Sequence, residues 1–259
     1  MNALRTLAYA KINKRLHITG KRNDGYHTLE SLMVPVNLHD IIIIEKRDHG
    51  FLLTGNKKEL VNDDNLIVKA HRFMENLVGR DLPGRVHFIK EIPIGAGLAG
   101  GTSDGAAVIH GLNTLYELGI SQEELEAKAV ALGADFPFCL RMKPCIARGI
   151  GDELEEVPYP KDEKILLIHP GFSLSTPKVY GYYDENPVKD EKNDLLPGVL
   201  KYHPQLLDIL EKIKETNPLD YSMTGSGPTL FAIYKNEEAR EKAKEMIKYY
   251  GKIITCESI

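Results

Sequence analysis

Apolar and polar residues alternate along the beginning of the chain as they do in β-strands. The alternation over Leu7–Ile18 predicts a strand, and the polar segment Gly20–Gly25 predicts a turn. The pattern over Tyr26–Leu38 predicts a second strand that returns beside the first. The chain is therefore expected to open with an antiparallel hairpin.

The segment that follows mixes short strand patterns with helical ones. Asn65–Val78 carries apolar residues at the spacing of an amphipathic helix, and Ser121 with Glu124 forms a capping box that opens another helix. The remaining patterns predict strands at Asp40–Lys46, Phe51–Thr54 and Val86–Ile89, and helices at Asp104–Leu118 and Ser121–Leu132. This part of the chain is expected to be mixed α/β.

A proline-flanked acidic stretch, DELEEVPYPKDEK, follows Gly151 and is typical of a crossing between domains. We place the boundary near Pro158, with domains at 1–157 and 158–259. The second domain predicts the order strand, helix, strand, strand, helix, strand, which is the split βαβ, ferredoxin-like arrangement. Its elements are Lys164–His169, Pro204–Glu215, Asp220–Met223, Thr229–Tyr234, Glu237–Tyr250 and Lys252–Cys256, with a short inserted helix N-capped by Thr176 and Pro177 at its first position. The predicted fold class is α+β with two domains.

Composition narrows the class of protein only a little. The 259 residues are 42% apolar and 27% charged with a formal net charge of -4, so the sequence has no electrostatic signature of nucleic-acid binding. Cys139, Cys145 and Cys256 lack the spacing of a zinc site or a disulfide framework and favour a reducing compartment. No apolar run is long enough to span a membrane, so we expect a cytoplasmic protein.

The segment PIGAGLAGGTSDGAA contains five glycines, four of them in front of a predicted helix. Small residues allow a ligand to approach the backbone, and successive N–H groups at a helix N-terminus bind anions. A flexible turn is the alternative interpretation. The predicted phosphate-binding residues are Pro93, Ile94, Gly95, Ala96, Gly97, Leu98, Ala99, Gly100, Gly101, Thr102 and Ser103.

Two familiar nucleotide motifs fit this segment poorly. The pattern GxxxxGK[ST] of a P-loop is absent from the sequence. Gly95, Gly97 and Gly100 do spell GxGxxG, but a dinucleotide fold needs a second parallel strand after the helix, and here one helix pattern follows another. A nicotinamide-dependent oxidoreductase therefore remains only as an alternative function.

Two charged residues offer the groups that phosphoryl transfer requires. Lys11 lies on the same face of the first strand as Tyr9 and Asn13, and Asp135 lies in the turn GADFPF. A carboxylate can accept the proton of an alcohol, and a cation can orient the acceptor and stabilise developing charge. Spacing alone favours a solvated edge residue for Lys11 and a helix cap for Asp135.

Five segments, taken in order, resemble the GHMP kinases: AYAKINKRLHITGKRNDGYH, PIGAGLAGGTSDGAA, GADFPF, ARGIGDEL and MTGSGPTLFAIY. The KIN strand followed by DGYH is similar to the branch that phosphorylates a cytidine-diphosphate-linked sugar alcohol in non-mevalonate isoprenoid synthesis. The resemblance covers nearly the whole chain. It implies an ATP-dependent kinase with an N-terminal nucleotide-binding domain and a C-terminal ferredoxin-like domain.

The same resemblance implies roles for individual residues. Asp135 would be the catalytic base and Lys11 its orienting partner, while Thr102 or Ser103 would approach Mg²⁺. The substrate-binding residues would be Asn13, Tyr26, His27 and Tyr180, with His27 pairing with the cytosine edge and the aromatic rings flanking its face. The GSG turn at Gly225–Gly227 would close beside the nucleotide.

Two other functions stay open at this point: a GHMP-type kinase that acts on a different small alcohol, and a nucleotide sensor without catalysis. The expected partners are a small-molecule substrate with a cytidine diphosphate moiety, and neither nucleic acid nor a membrane. The sequence is compatible with a monomer or a homodimer.

Overall fold

The computed structural model describes residues 2–259. They form two compact units, each assembled from separate stretches of the chain. The first unit contains residues up to Ala10, Leu38–Ile92 and Ala99–Met142. The second contains Lys11–Asn37, Pro93–Leu98 and Lys143–Ile259. The domain boundary near Pro158 stays a prediction.

Ten strands and eight α-helices make up the described residues. The strands are β1 (Ala3–Lys21), β2 (His27–Lys46), β3 (Phe51–Gly55), β4 (Gly84–Ile89), β5 (Cys145–Arg148), β6 (Glu153–Glu156), β7 (Lys164–His169), β8 (Asp220–Met223), β9 (Leu230–Tyr234) and β10 (Lys252–Glu257). The helices are α1 (Leu66–Val78), α2 (Gly100–Leu115), α3 (Gln122–Ala129), α4 (Phe136–Arg141), α5 (Thr176–Glu185), α6 (Leu196–Tyr202), α7 (Gln205–Glu215) and α8 (Glu237–Ile247). Short 3₁₀ helices occupy Lys58–Leu60 and Val130–Leu132.

The first unit packs helices against a small sheet. Within it, β4 pairs parallel with β3 and antiparallel with the second half of β2. Helix α1 begins after Asn65, whose side chain accepts the N–H of Ile67, and it buries the predicted apolar stripe around Ala70 and Met74. Helices α1, α2 and α4 pack together, and Gly105 allows α2 to approach Phe136 of α4 closely.

The second unit contains the predicted ferredoxin-like sheet. Its strand order is β10-β7-β9-β8, with every neighbouring pair antiparallel. This is the order that a split βαβ arrangement requires, because each helix crosses between strands that are not adjacent. Apolar residues of β7, β9 and the helices α5 to α8 form its core. The first half of β2 also pairs with β5 in this unit, and β5 with β6.

The structure corrects several predicted boundaries. The strand predicted at Asp40–Lys46 is continuous with β2, because the side chain of Asp40 accepts backbone N–H groups of Glu91 and Ile92 and so tolerates burial. The predicted linker begins with a strand, β6, that pairs with β5. Helix α5 has Ser175 at its N-cap rather than Thr176, which places Pro177 in the first turn but not first.

Four elements, β5, β6, α4 and α6, were not predicted. Helices α4 and α6 are too short to show a clear apolar period. Both also contain a proline, which in the sequence alone favours a turn. Proline is tolerated in the first turn of a helix because the N–H it lacks has no partner there. No helix within residues 2–259 combines the length and apolarity that crossing a bilayer requires.

Candidate functional site

Lys11 and Asn13 are buried together on one face of β1. Lys11 is 4% exposed and Asn13 is 2% exposed. The ammonium group of Lys11 donates to Oδ1 of Asn13 over 2.5 Å, and the amide group of Asn13 donates to Oγ of Ser31. Alternation along the strand predicts that these two side chains share a face. Burial and this polar network exclude a solvated edge role for Lys11.

The glycine-rich segment reaches the same place through Gly97. The N–H of Lys11 donates to the carbonyl of Leu98 at 3.2 Å. Gly97 has φ of 75°, and a Cβ there would lie 2.4 Å from the backbone oxygen of Thr224. A Cβ on Gly225 would lie 3.0 Å from Asn13 Oδ1 and 3.6 Å from Lys11 Nζ. Three motifs that are distant in sequence therefore converge within the second unit, and glycine is required where their backbones touch.

Several residues that the sequence analysis missed hold this arrangement. The buried Asn193 donates from its amide nitrogen to the carbonyls of Met223 and Gly225, at 2.8 and 2.9 Å. Ser173 donates to the carbonyl of Ile94 at 2.9 Å. Neither residue belongs to a recognisable motif. Each binds the backbone of a segment that is distant in sequence, and such a contact leaves no local sequence signal.

Two threonines of the second unit also hold the GSG turn in place. Thr224 accepts the N–H of Asn13 at 2.9 Å, and Thr176 shares a 2.9 Å hydrogen bond with Ser226. The GSG turn is thus fixed from both β1 and α5.

Helix α2 begins within the glycine-rich segment, in the first unit. Ala99 is its N-cap and adopts φ of 57°, a left-handed conformation that glycine would adopt with less strain. Ser103 is buried and donates its hydroxyl to the carbonyl of Tyr9 at 2.7 Å. Thr102 lies half-buried on the same first turn. The N-terminal N–H groups of this helix form the kind of positive end that attracts phosphate.

A buried ionic cluster, which we call the Lys90 cluster, consists of Asp40, Lys90 and Asp104 in the first unit. Lys90 Nζ donates to both carboxylates, to Asp104 Oδ2 over 2.7 Å. Burial, together with the nearby charge of Asp40, outweighs the attraction of Lys90 and raises the pKa of Asp104 to about 8. Oδ1 of Asp104 is buried and has no hydrogen-bond partner among residues 2–259.

Asp135 lies in the first unit, at the N-cap position of α4. Its backbone carbonyl accepts the N–H of Cys139 at 3.0 Å, but its side chain does not cap the helix. The half-buried carboxylate is thus not committed to the capping role that the turn sequence allowed. Because Asp135 and Lys11 belong to different units, their convergence stays a prediction.

His27 is the centre of an aromatic and charged group in the second unit. Its ring stacks on Tyr180 with centroids 4.9 Å apart and meets Tyr183 edge-on. Its Nε2 lies 2.7 Å from Oδ1 of Asp184, a carboxylate that also accepts from Lys21 at 2.6 Å. The hydrogen bond from Lys21, with a further one from His27, holds the pKa of Asp184 below its usual range.

Tyr26 lies beside this group in sequence and is 60% exposed, whereas the side chain of His27 is 7% exposed. The structure thus brings His27 and Tyr180 together and leaves Tyr26 accessible, while their roles toward a substrate stay predictions. Sequence reasoning missed Asp184, which lies 157 residues from His27.

Cysteine and metal chemistry contribute little to this picture. All three cysteines are buried, and none of them forms a disulfide. Within residues 2–259, no group of three or more histidine, cysteine or acidic side chains could hold a metal ion.

Family models match both parts of the chain. The model described as GHMP kinases N terminal domain matches residues 65–142, and the model described as GHMP kinases C terminal matches residues 188–253. Together they cover more than half of the sequence. The chain belongs to the GHMP kinase family. The predicted kinase activity is confirmed, and the nicotinamide-dependent alternative is not supported.

Curated relatives of this GHMP kinase extend over its full length. A protein of Clostridioides difficile named 4-diphosphocytidyl-2-C-methyl-D-erythritol kinase is 34% identical over 100% of this chain and 96% of its own. A protein of Brucella abortus with the same name is 37% identical over 93% of this chain and 89% of its own.

Solved structures agree with the fold of this GHMP kinase. A crystal structure of 4-(cytidine 5'-diphospho)-2C-methyl-D-erythritol kinase covers 98% of this chain and 99% of its own, with 27% identity and a TM-score of 0.87. A homoserine kinase from Cytophaga hutchinsonii covers 100% and 95% with a TM-score of 0.75, but its 16% identity shows the fold alone. The predicted two-domain GHMP kinase fold is confirmed.

Proposed function

We propose that this GHMP kinase transfers the γ-phosphoryl group of ATP to the 2-hydroxyl of 4-diphosphocytidyl-2-C-methyl-D-erythritol, a step of non-mevalonate isoprenoid precursor synthesis. The observation that carries the proposal is the 34% to 37% identity, over at least 92% of this chain, to relatives named for that substrate. The cytoplasmic location and the oligomeric state, monomer or homodimer, stay predictions.

The triphosphate of ATP would be held by Pro93–Ser103. The close packing of Gly97 on the Thr224 carbonyl fixes the middle of this segment, and α2 ends it with its free N–H groups. Backbone N–H groups that are fixed before the ligand arrives bind phosphate without further ordering cost. This argument supports the ATP loop that the sequence predicts.

Mg²⁺ belongs to the same proposal. Magnesium binds oxygen ligands and takes several of them from substrate phosphates and water, so a single protein hydroxyl suffices. Thr102 fits this role better than Ser103, whose hydroxyl donates to the carbonyl of Tyr9. When bound, the ion neutralises charge on the β- and γ-phosphates.

Asp135 and Lys11 would act on the acceptor hydroxyl. The Asp135 carboxylate, which does not cap α4, would accept the proton. The Lys11 ammonium, held by Asn13 and close to Gly225, would orient the acceptor and balance the charge that develops during in-line transfer.

The cytidine end of the substrate would bind at His27. A flat base needs aromatic surface and a directional hydrogen bond. His27 offers a ring whose orientation is fixed by Tyr180 and Asp184, and the exposed Tyr26 offers a second aromatic surface nearby in sequence. Asn13 would contact the substrate beside Lys11.

A phosphorylation assay tests the proposal directly. The full chain is incubated with ATP, Mg²⁺ and one of several alcohols: the cytidine-diphosphate-linked methylerythritol, free methylerythritol, homoserine or mevalonate. We expect phosphate transfer only to the first, with the new phosphate on the 2-hydroxyl by ³¹P NMR. Preferred transfer to another alcohol would favour the alternative kinase, and ATP binding without any transfer would favour a sensor.

A further inference from the structure

The backbone directly before the glycine-rich segment is held by side chains from elsewhere in the first unit. Oδ1 of Asp40 accepts the N–H of Glu91 at 2.6 Å and that of Ile92 at 2.9 Å. Oδ1 of Asn56 accepts the N–H of Lys90 at 2.9 Å. Three successive residues are thus fixed where the chain enters the segment.

The Lys90 cluster also holds the backbone where the chain leaves the glycine-rich segment. Lys90 Nζ, which donates to Asp40, also donates to Asp104 on the first turns of α2. The start of α2 packs against the entering strand, because a Cβ on Gly100 would lie 2.8 Å from Ile92 and 3.2 Å from Lys90 Nζ. The two ends of the segment are therefore tied to each other through one ammonium group.

Stability alone does not explain such a cluster. Burying one ammonium group and two carboxyl groups carries a large desolvation cost, and well-packed apolar residues often stabilise a fold as well. A buried ionic group can instead specify one arrangement of the elements that it joins. Here the joined elements are residues 90–92 and the start of α2. We call them the two stems of the segment that is proposed to bind ATP.

We propose that Asp40, Lys90 and Asp104 are positioning residues that hold both stems of the phosphate-binding segment at the spacing that ATP requires. They act through the backbone of Glu91 and Ile92 on one side and through α2 on the other. The inference rests on the proposed function, since it assumes that this segment binds the triphosphate.

Asp104 provides the decisive variants. Asp104→Ala removes the tie to Lys90 and places a good helix former in α2, whereas Asp104→Asn keeps an oxygen that accepts from Lys90. We expect Asp104→Ala to weaken ATP binding by about tenfold or more, and Asp104→Asn to restore most of it. The Kd for ATP is measured by calorimetry on the full chain, together with KM for each substrate and kcat.

A control variant at Glu126 separates a positioning role of Asp104 from a general loss of stability. Glu126 is another buried carboxylate of the first unit; it lies outside the Lys90 cluster and is paired with Arg141. Glu126→Gln should lower the melting temperature but leave the Kd for ATP unchanged. Asp104→Ala should raise KM for ATP and leave KM for the acceptor within about twofold of the original value.

Three outcomes decide the matter. Unchanged ATP affinity in Asp104→Ala, or equal losses for ATP and acceptor, would overturn the positioning role. If Asp104→Ala does not fold, the shift in melting temperature that ATP produces in Asp104→Asn and Asp104→Ser gives the same comparison, since only asparagine reaches Lys90 with a carbonyl oxygen. Failure of the unaltered chain to bind ATP would instead contradict the proposed function itself.

Discussion

Lys11 Nζ lies 2.5 Å from Oδ1 of Asn13, two residues further along the same strand. This contact fixes the position of the ammonium group before any substrate arrives. Asn13 in turn is held by Ser31 and by the hydroxyl of Thr224. The proposed catalytic cation is thus preorganised by residues from three separate segments, and preorganised charge is usually the largest contribution to transition-state stabilisation.

The first prediction concerns this contact. Asn13→Leu removes the oxygen that receives the Lys11 hydrogen bond, and we expect kcat to fall by about 10²-fold because the cation is no longer oriented. Asn13→Asp keeps an oxygen at the same place and should retain more activity. Ser31→Ala serves as the control in the steady-state assay, because it removes the hydrogen bonds of Ser31 to the Asn13 amide nitrogen and to the Arg15 carbonyl but keeps Oδ1 of Asn13. An equal loss in all three variants would contradict the orienting role.

Asp135 gives the second prediction. Asp135→Asn removes the base but preserves the size of the side chain, so turnover should fall by about 10² to 10⁴-fold. The Kd for ATP, measured by calorimetry, should remain within about twofold because the proposed ATP contacts come from Pro93–Ser103. Near-normal turnover of the purified variant would rule out Asp135 as the base.

The third prediction tests the glycine requirement at Gly97. Gly97→Ala would place a methyl group against the backbone of Thr224 at a positive φ, so the segment must shift and KM for ATP should rise about tenfold or more. Gly119 has a similar φ of 67° and open space around it. Gly119→Ala should therefore cost only the backbone strain, about 1–2 kcal/mol of the free energy of unfolding, with KM for ATP unchanged.

His27 and Asp184 support a fourth prediction. His27→Ala should raise KM for the cytidine substrate by about tenfold or more while leaving KM for ATP nearly unchanged, because only the base contacts this ring. Asp184→Ala should act in the same direction but more weakly, since it orients His27 without touching the base. Equal changes in both KM values would point to a structural role for this group instead.

The fifth prediction concerns stability in the second unit. The buried carboxylate of Asp194 accepts from Lys189 and from the backbone N–H groups of Ile18 and Asp190. Burial alone would raise the pKa of Asp194, but these hydrogen bonds lower it below the usual value. Asp194→Ala should cost about 1–3 kcal/mol of the free energy of unfolding for each buried donor left unpaired.

The lowered pKa of Asp194 also sets a pH dependence. A carboxylate with a depressed folded-state pKa stabilises the fold above its unfolded pKa of about 3.9, and this stabilisation is lost as the pH falls through the folded pKa. Urea unfolding should therefore show decreasing stability below about pH 4, and Asp194→Asn should flatten part of that decrease. Glu245 is the comparison, because its pKa is also lowered, by an exposed hydrogen bond from Lys248. Solvent screens such an exposed pair, so Glu245→Gln should change the stability and its acid dependence much less than Asp194→Asn.

Local patterns were enough to predict much of the fold. The hairpin of β1 and β2, the stripe of α1 and the ferredoxin-like order all follow from periodicity and turn residues, which act over a few neighbouring positions. Helix α4 was not predicted, because its six residues around Pro137 are too few to show the apolar period of a helix. Strand β6 was not predicted, because its residues are mostly acidic and its only strand partner among the described residues is β5.

By itself the sequence determined most elements of this protein, its GHMP kinase motifs and the glycine-rich segment that is proposed to bind phosphate. The tertiary structure alone decided which side chains hold those motifs in place. Asn193 binds the backbone of Gly225, Asp184 orients His27, and Asp40 joins Lys90 across 50 residues of chain. Such contacts leave no periodic signal, because a hydrogen bond between distant segments depends on how the chain folds and not on what its neighbours in sequence are.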